Sequence, residues 1–304
     1  MSTFAPVIVF AYRRPDHLRN TLTSLMRCEG FEQSPVIVYF DGPRDTDDTH
    51  LVMATRELAR SMLGEHTEFH FRVVNLGLSG SVISGVSDVV NRFGRAIVVE
   101  DDLELSTSFL TFLNQALDRY ANDESVFQVS GYMFDVPILK ESPSALFLPF
   151  TASWGWATWK RAWDQFDPQA TGWEALRTDE ALRRRFNLDG TYDYSTMLMR
   201  QMAGFRDSWA VRWYWTVFKA NGLVLFPPVS LVSNNGFDGS GTHGRGALRK
   251  FSKTKLAQSS IEINQPKSVQ LDAGLYGYVK KALWEQSGGW IVPIVAYVRR
   301  WLKH

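Results

Sequence analysis

Cysteine is almost absent from this 304-residue chain. Cys28 stands alone, so no internal disulfide can form, and this usage fits a reducing compartment. With no activating base nearby in sequence, Cys28 reads as a small core residue rather than a reactive thiol. Charge of one sign is lacking as well: 33 Lys and Arg face 32 Asp and Glu, a formal net charge of +1. That balance excludes a global field for nucleic acid and leaves only local patches. No apolar run is long enough to span a bilayer. Met1 to Pro6 passes into a strand-like segment without a basic leader, so the expectation is no signal peptide, no anchor and a cytoplasmic location. Internal repeats and low-complexity linkers are missing too, which argues for one folded unit over residues 1 to about 250.

What is present is a chain with enough apolar residues, 45%, to bury a full core. Pro6 to Ala11 and Val36 to Phe40 read as buried strands, Phe69 to Val74 and Ala96 to Val99 as two more. Between them, Pro15 opens a helical pattern with Leu18, Leu22 and Leu25, and Leu51 to Leu63 and Ser79 to Phe93 continue the alternation. This predicts an α/β fold with a mostly parallel sheet flanked by helices, its ligand at the carboxyl ends of the strands. A helix over Ser106 to Tyr120, a strand over Val126 to Ser130 and a helix from Trp209 to Ala220 follow. The nucleotide-facing half is expected over about residues 1–130 and the acceptor half over about 131–250.

Polar clusters fall where those strands end. Glu100-Asp101-Asp102 follows Ile97-Val98-Val99 directly, so extended backbone puts Glu100 and Asp102 on one side and Asp101 on the other. Carboxylates gathered at a strand end suit a hard divalent cation, Mg2+ or Mn2+. A solvated acidic turn is the other reading. Arg14 follows the first strand as either a cation for phosphates or a surface residue, and Asp41 follows the second as either a hydrogen-bond acceptor for a base or ribose or plain Asp-Gly-Pro turn chemistry. Asn75 to Ser81 is a glycine-containing approach to a helix N-terminus, suited to phosphate or ribose contact.

The stretch Ala96 to Ser106 with its Glu100-Asp101-Asp102 resembles the signature of the N-acetylglucosaminyltransferase I family, which has the GT-A fold. Ile8 to Leu25 with Arg14, Asp41, Trp154-Gly155-Trp156, Arg206-Asp207-Ser208-Trp209 and Gly241-Thr242-His243 come in the family's order, over about residues 6–245. The resemblance implies an inverting glycosyltransferase using a UDP-sugar donor and a divalent metal, with Asp102 as metal ligand. It further implies Glu100 at the donor sugar, Asp101 at the ribose, Asp41 at the uracil, Arg14 at the nucleotide or its phosphates and Thr242 at the diphosphate. Asp207 falls at the family's catalytic base, in Asp-Ser-Trp where the family has Asp-Asp-Trp. Near Ser79, expected at the nucleotide, the family has a histidine that this chain lacks.

The alternative for Asp207 is the N-cap of the following helix. His243, in a glycine-rich loop, is expected over the phosphates or the metal, or simply solvated. Trp156 and Trp209 are expected to stack on acceptor sugar faces, although aromatic clusters also serve as core. The acceptor expected is a glycan or lipid-linked glycan. Residues 251–304 form a basic, aromatic helical tail that either makes peripheral contact with anionic lipid or packs on protein. Two rival functions remain: a sugar nucleotidyltransferase, for which Tyr12-Arg13-Arg14-Pro15 is a poor match to the glycine-rich loop required, and a non-catalytic nucleotide-sugar or glycan-binding module.

Overall fold

The computed structural model describes residues 4–64, 67–141, 143–237, 256 and 262–287. The first half alternates as expected: β1 (Val7–Ala11), α1 (Pro15–Met26), β2 (Val36–Phe40), α2 (Thr46–Met62), β3 (Glu68–Phe71), α3 (Gly77–Phe93) and β4 (Arg95–Glu100). Then come β5 (Leu103–Leu105), α4 (Phe109–Arg119), β6 (Val126–Ser130), β7 (Leu146–Leu148), β8 (Trp156–Trp159) and the one-turn α5 (Lys160–Trp163). A helical stretch follows, α6 (Ala175–Thr178), α7 (Glu180–Phe186), α8 (Tyr194–Met202) and α9 (Trp209–Lys219), before β9 (Leu223–Phe226), β10 (Val232–Asn234) and α10 (Ala273–Ser287).

Among the described residues eight strands make one sheet in the order β3-β2-β1-β4-β8-β6-β9-β7. The β3 to β4 half is parallel throughout, β8 runs against β4 and β6, and β6 pairs β9 in parallel. β5 and β10 form a separate antiparallel pair.

β1 and β2 are apolar at every position, and β4 from Ala96 to Val99, because both faces are covered, whereas the edge strand β3 is half-exposed and carries Glu68 and His70. Alternate residues divide between two cores: Val7, Val9, Val36, Val38, Ile97 and Val99 meet α1, α2 and α4 on one face. Ile8, Phe10, Ile37, Tyr39, Ala96 and Val98 meet α3, α9 and the tryptophans on the other. The third strand is shorter than the sequence suggests. It stops at Phe71, because Arg72 turns to donate to Ser81 (2.6 Å) and Ser84 (2.5 Å) of α3, leaving Val73 and Val74 in solvent.

Residues 262–272 run beside β7 through bridges at Asn264 and Leu271, and α10 buries Val279, Ala282 and Leu283 in the core that holds α9. Lys280 pairs with Asp189 at 2.5 Å and Gln286 donates to the Asp135 carbonyl at 2.9 Å. This part of the C-terminal region packs on the domain. The remainder of the expected helical tail, residues 288–304, lies outside the described residues. Among the described residues no helix is long and apolar enough to cross a membrane.

Candidate active site

Register puts the strand ends level: Ala11 lies beside Phe40, and Phe10 beside Glu100. Whatever follows β1, β2 and β4 therefore meets at one rim, the crevice that an open parallel sheet offers to ligands. A cavity of about 350 Å3 opens there, within the size range of small-molecule sites. Its lining includes Arg14, Asp41, the Glu100–Asp102 carboxylates, Asp207, Trp209 and further aromatic side chains.

Asp101 is 3% exposed and accepts hydrogen bonds from the Tyr12 N–H (3.3 Å) and from the Arg14 guanidinium. The same Nη2 of Arg14 lies 2.9 Å from Oδ2 of Asp102. Arg14 is thus the described cation that balances the cluster. Burial pushes the Glu100 carboxyl up to about 8, helped by the neighbouring charges of Asp102 and Asp101 and opposed by Arg14. Burial also raises Asp101, against the pull of Arg14. With Glu100 protonated, Asp101 and Asp102 against the one arginine still leave an excess of negative charge, which a bound cation would balance.

Among the described residues no three His, Cys, Asp or Glu side chains converge as a ready-made metal cage. The donor set nonetheless fits a hard divalent cation that takes most of its ligands from water and phosphate oxygens, as Mg2+ does. Asp102 is the residue that would hold it. Its backbone is pinned by the Asn235 N–H (2.9 Å), and its carboxylate is cradled by Gly236, where a Cβ would stand 2.8 Å from Cγ and closer still to Oδ2. The two residues directly after β10 thereby fix the acid from the side, something no local sequence pattern shows.

Asp41 is buried at the end of β2 and already serves as a loop anchor. Its Oδ1 accepts from Gly42 N (3.0 Å) and Leu76 N (2.8 Å), and its Oδ2 from Gly77 N (2.9 Å). It still lines the cavity, with acceptor capacity left on Oδ2. Ser79 departs from expectation. It is 4% exposed and does not reach the cavity wall, because α3 turns it toward α9, where its Oγ accepts from Arg212 Nη2 at 2.9 Å.

Asp207 lines the same cavity and is 56% exposed. It is not the helix cap. Ser208 holds that position without a side-chain capping bond, and the Asp207 carboxylate instead accepts from the Ser79 N–H at 3.3 Å. Thr242 and His243 lie outside the described residues.

The two tryptophans separate. Trp209 lines the cavity with one edge while stacking on Trp156, ring centroids 5.0 Å apart. Trp156 is 0% exposed, so the expected stacking of its ring on an acceptor sugar is corrected: it is a core residue. Its Nε1 finds no acceptor among the described residues. The cavity receives Trp154 instead. Gly155 has φ +61°, which breaks the strand alternation and aims Trp154 outward while Trp156 goes inward.

Sequence reasoning missed the rest of the aromatic wall. Tyr132 meets Trp154 edge-on at 4.6 Å, and Tyr194 packs between Tyr192 (4.7 Å) and Tyr214 (4.6 Å). Burial pushes the hydroxyls of Tyr194 and Tyr214 well above the ordinary tyrosine range, so both stay protonated donors. These side chains come from the loop after β6, from α8 and its approach, and from α9. Only tertiary packing unites them.

No family model matches the sequence. Among solved structures the chain is similar to that of S. aureus TarS, with 16% identity over 41% of this chain and 21% of that one, TM-score 0.29. It is similar also to GalNAc-T7 crystallised with UDP, GalNAc and Mn2+, with 10% identity over 97% of this chain and 58% of that one, TM-score 0.47. The chain therefore spans about a fifth and somewhat under three fifths of the lengths of those two proteins.

Proposed function

We propose that this chain is a glycosyltransferase of GT-A type that moves a sugar from a UDP-sugar to a hydroxyl of a glycan or lipid-linked glycan, with inversion. The observation that carries the reading is the cavity itself, which gathers Arg14, the Glu100–Asp102 carboxylates, Asp41, Asp207 and a set of aromatic side chains. An acidic cluster suits the diphosphate end of a donor only with a cation, and Asp102 would hold Mn2+ or Mg2+, which when bound neutralises charge on the leaving diphosphate. Arg14 adds a fixed positive charge at the same place. Asp41, at the end of β2, offers its remaining lone pair to a base N–H or ribose hydroxyl.

Asp207 is the general base: it takes the proton of the acceptor hydroxyl as that oxygen attacks the anomeric carbon. A single displacement across the cavity inverts the anomeric centre, because attack and departure occur on opposite faces. Trp154, half-buried on the cavity, offers ring surface for the apolar side of a pyranose, while the buried Trp209 and Tyr214, the latter donating its hydroxyl to the Phe186 carbonyl, back it from within.

A panel of nucleotide sugars with Mn2+ tests the reading. UDP-sugars are expected to raise the melting temperature in a metal-dependent way, since a ligand of the native state stabilises it. Asp207→Asn is expected to keep that stabilisation and lose transfer by roughly 10²-fold or more. Normal turnover in this variant would remove Asp207 from its role, and no response to any UDP-sugar would overturn the proposal as a whole.

A further inference from the structure

A carboxylate that is 56% exposed at the mouth of a cavity has no reason to hold one direction unless something fixes it. A general base must do so, since its lone pair has to point at a particular hydroxyl. Two elements reach Asp207. The first turn of α3 carries N–H groups without helical acceptors, and the Ser79 N–H donates to Oδ2 at 3.3 Å. From α9, Nη2 of Arg212 lies 3.9 Å from Oδ1 and at the same time donates to the Ser79 hydroxyl at 2.9 Å.

Arg212 is itself immobilised. It is 13% exposed, its Nε donates to the Ser208 carbonyl and its Nη1 to the Pro168 carbonyl, each at 3.1 Å. Three acceptors in three directions need a planar fork; a lysine ammonium at the end of a flexible stem cannot serve all three. Burial of a charged group is costly, and here the cost is borne beside a half-exposed acid rather than in a closed ion pair.

We infer that Arg212 and Ser79 are positioning residues for the Asp207 carboxylate, the arginine locking the serine to α9 and the serine amide fixing Oδ2, so that Oδ1 is left to receive the acceptor's proton. The inference rests on the reading of Asp207 as the base. It assigns to Ser79 a task different from nucleotide contact. It also makes the start of α3 a shared support, since the Gly77 N–H of the same turn holds Asp41 at 2.9 Å.

The test uses the full chain, Mn2+ and whichever of the UDP-hexoses or UDP-N-acetylhexosamines raises its melting temperature most, with slow donor hydrolysis as the readout so that water stands in for the acceptor. Arg212→Met and Ser79→Ala are expected to lower kcat, the former by on the order of 10²-fold, with KM for the donor changed less than about threefold. Arg212→Lys keeps the charge but not the planar fork, and is expected to leave kcat as low as Arg212→Met does, which separates charge from fork geometry.

If Asp207→Asn is inactive while Arg212→Met and Ser79→Ala retain wild-type kcat, the positioning inference is wrong and the base stands. If Asp207→Asn turns over normally, the base reading itself has failed. Should Arg212→Met not fold, Ser79→Ala decides alone, because it deletes one hydroxyl.

Discussion

Gly236 offers the sharpest probe of the acidic cluster. A Cβ built there would lie 2.8 Å from Cγ of Asp102 and 3.1 Å from its Cβ, where ordinary contact begins near 3.4 Å. The Cγ contact is about 0.6 Å too short and the Oδ2 contact is worse, so either the carboxylate or the backbone must give. The backbone resists, since Gly236 N donates to the Asn234 side chain at 2.8 Å and Asn235 N to the Asp102 carbonyl at 2.9 Å. In Gly236→Ala the carboxylate is therefore expected to swing by roughly 1 Å, a misplacement that costs about 10²-fold in kcat/KM. Turnover of the stabilising UDP-sugar over a Mn2+ titration is the assay, with metal-dependent melting as a second readout. The metal requirement should rise together with the fall in rate. Gly277→Ala is the control, since nothing lies within 4 Å of its Cβ and it sits in α10, where alanine adds about 0.5–1 kcal/mol of helix preference. Wild-type kcat/KM and metal response in Gly236→Ala would show that Asp102 is not the acid that matters.

Arg14→Met removes the described cation from Asp101 and Asp102, and breaking such a pair costs on the order of 3–5 kcal/mol. The variant is expected to melt lower without metal and to recover more on adding Mn2+ than the wild type does; indifference to Mn2+ would contradict a cation site here. At the sheet edge, hydrogen bonds from Arg92 hold the Glu68 carboxyl down to about 2 despite burial, with His70 assisting. A carboxylate depressed in the folded state adds stability above the ordinary glutamate range, near pH 4.5, and loses it as pH falls toward 2. Because the side chain is more than a third exposed, Glu68→Gln should flatten that acid loss by no more than about 1 kcal/mol, read from melts between pH 5 and 2; an unchanged slope would refute it.

Much of the donor side was legible because it follows from one-dimensional patterns. A strand buried on both faces must be apolar throughout, so β1, β2 and β4 announce themselves, and acids or arginines directly after such runs must stand at the rim. Arg14, Asp41 and the Glu100–Asp102 triplet are placed that way. The other side was not, for particular reasons. Trp154 and Trp156 are two residues apart and look equivalent until the left-handed turn at Gly155 sends them in opposite directions. Ser79 reads as a ligand contact because it begins a helix, yet the helix is rotated so that it faces Arg212. Tyr132, Tyr192, Tyr194 and Tyr214 share a wall only because α8 and α9 pack over the end of β6, and no spacing in the chain encodes that.

The part played by α10 bears on how the molecule could be shortened. Leu283 reaches the cavity, and Val279 and Ala282 sit in the core beside the aromatic wall. A chain ended at about residue 250, where the sequence reading closes the folded unit, would leave that flank unroofed, with water admitted behind the tyrosines. α10 is better regarded as masonry than as trim, and a trimmed protein would be expected to lose its grip on the acceptor before it lost its grip on the nucleotide.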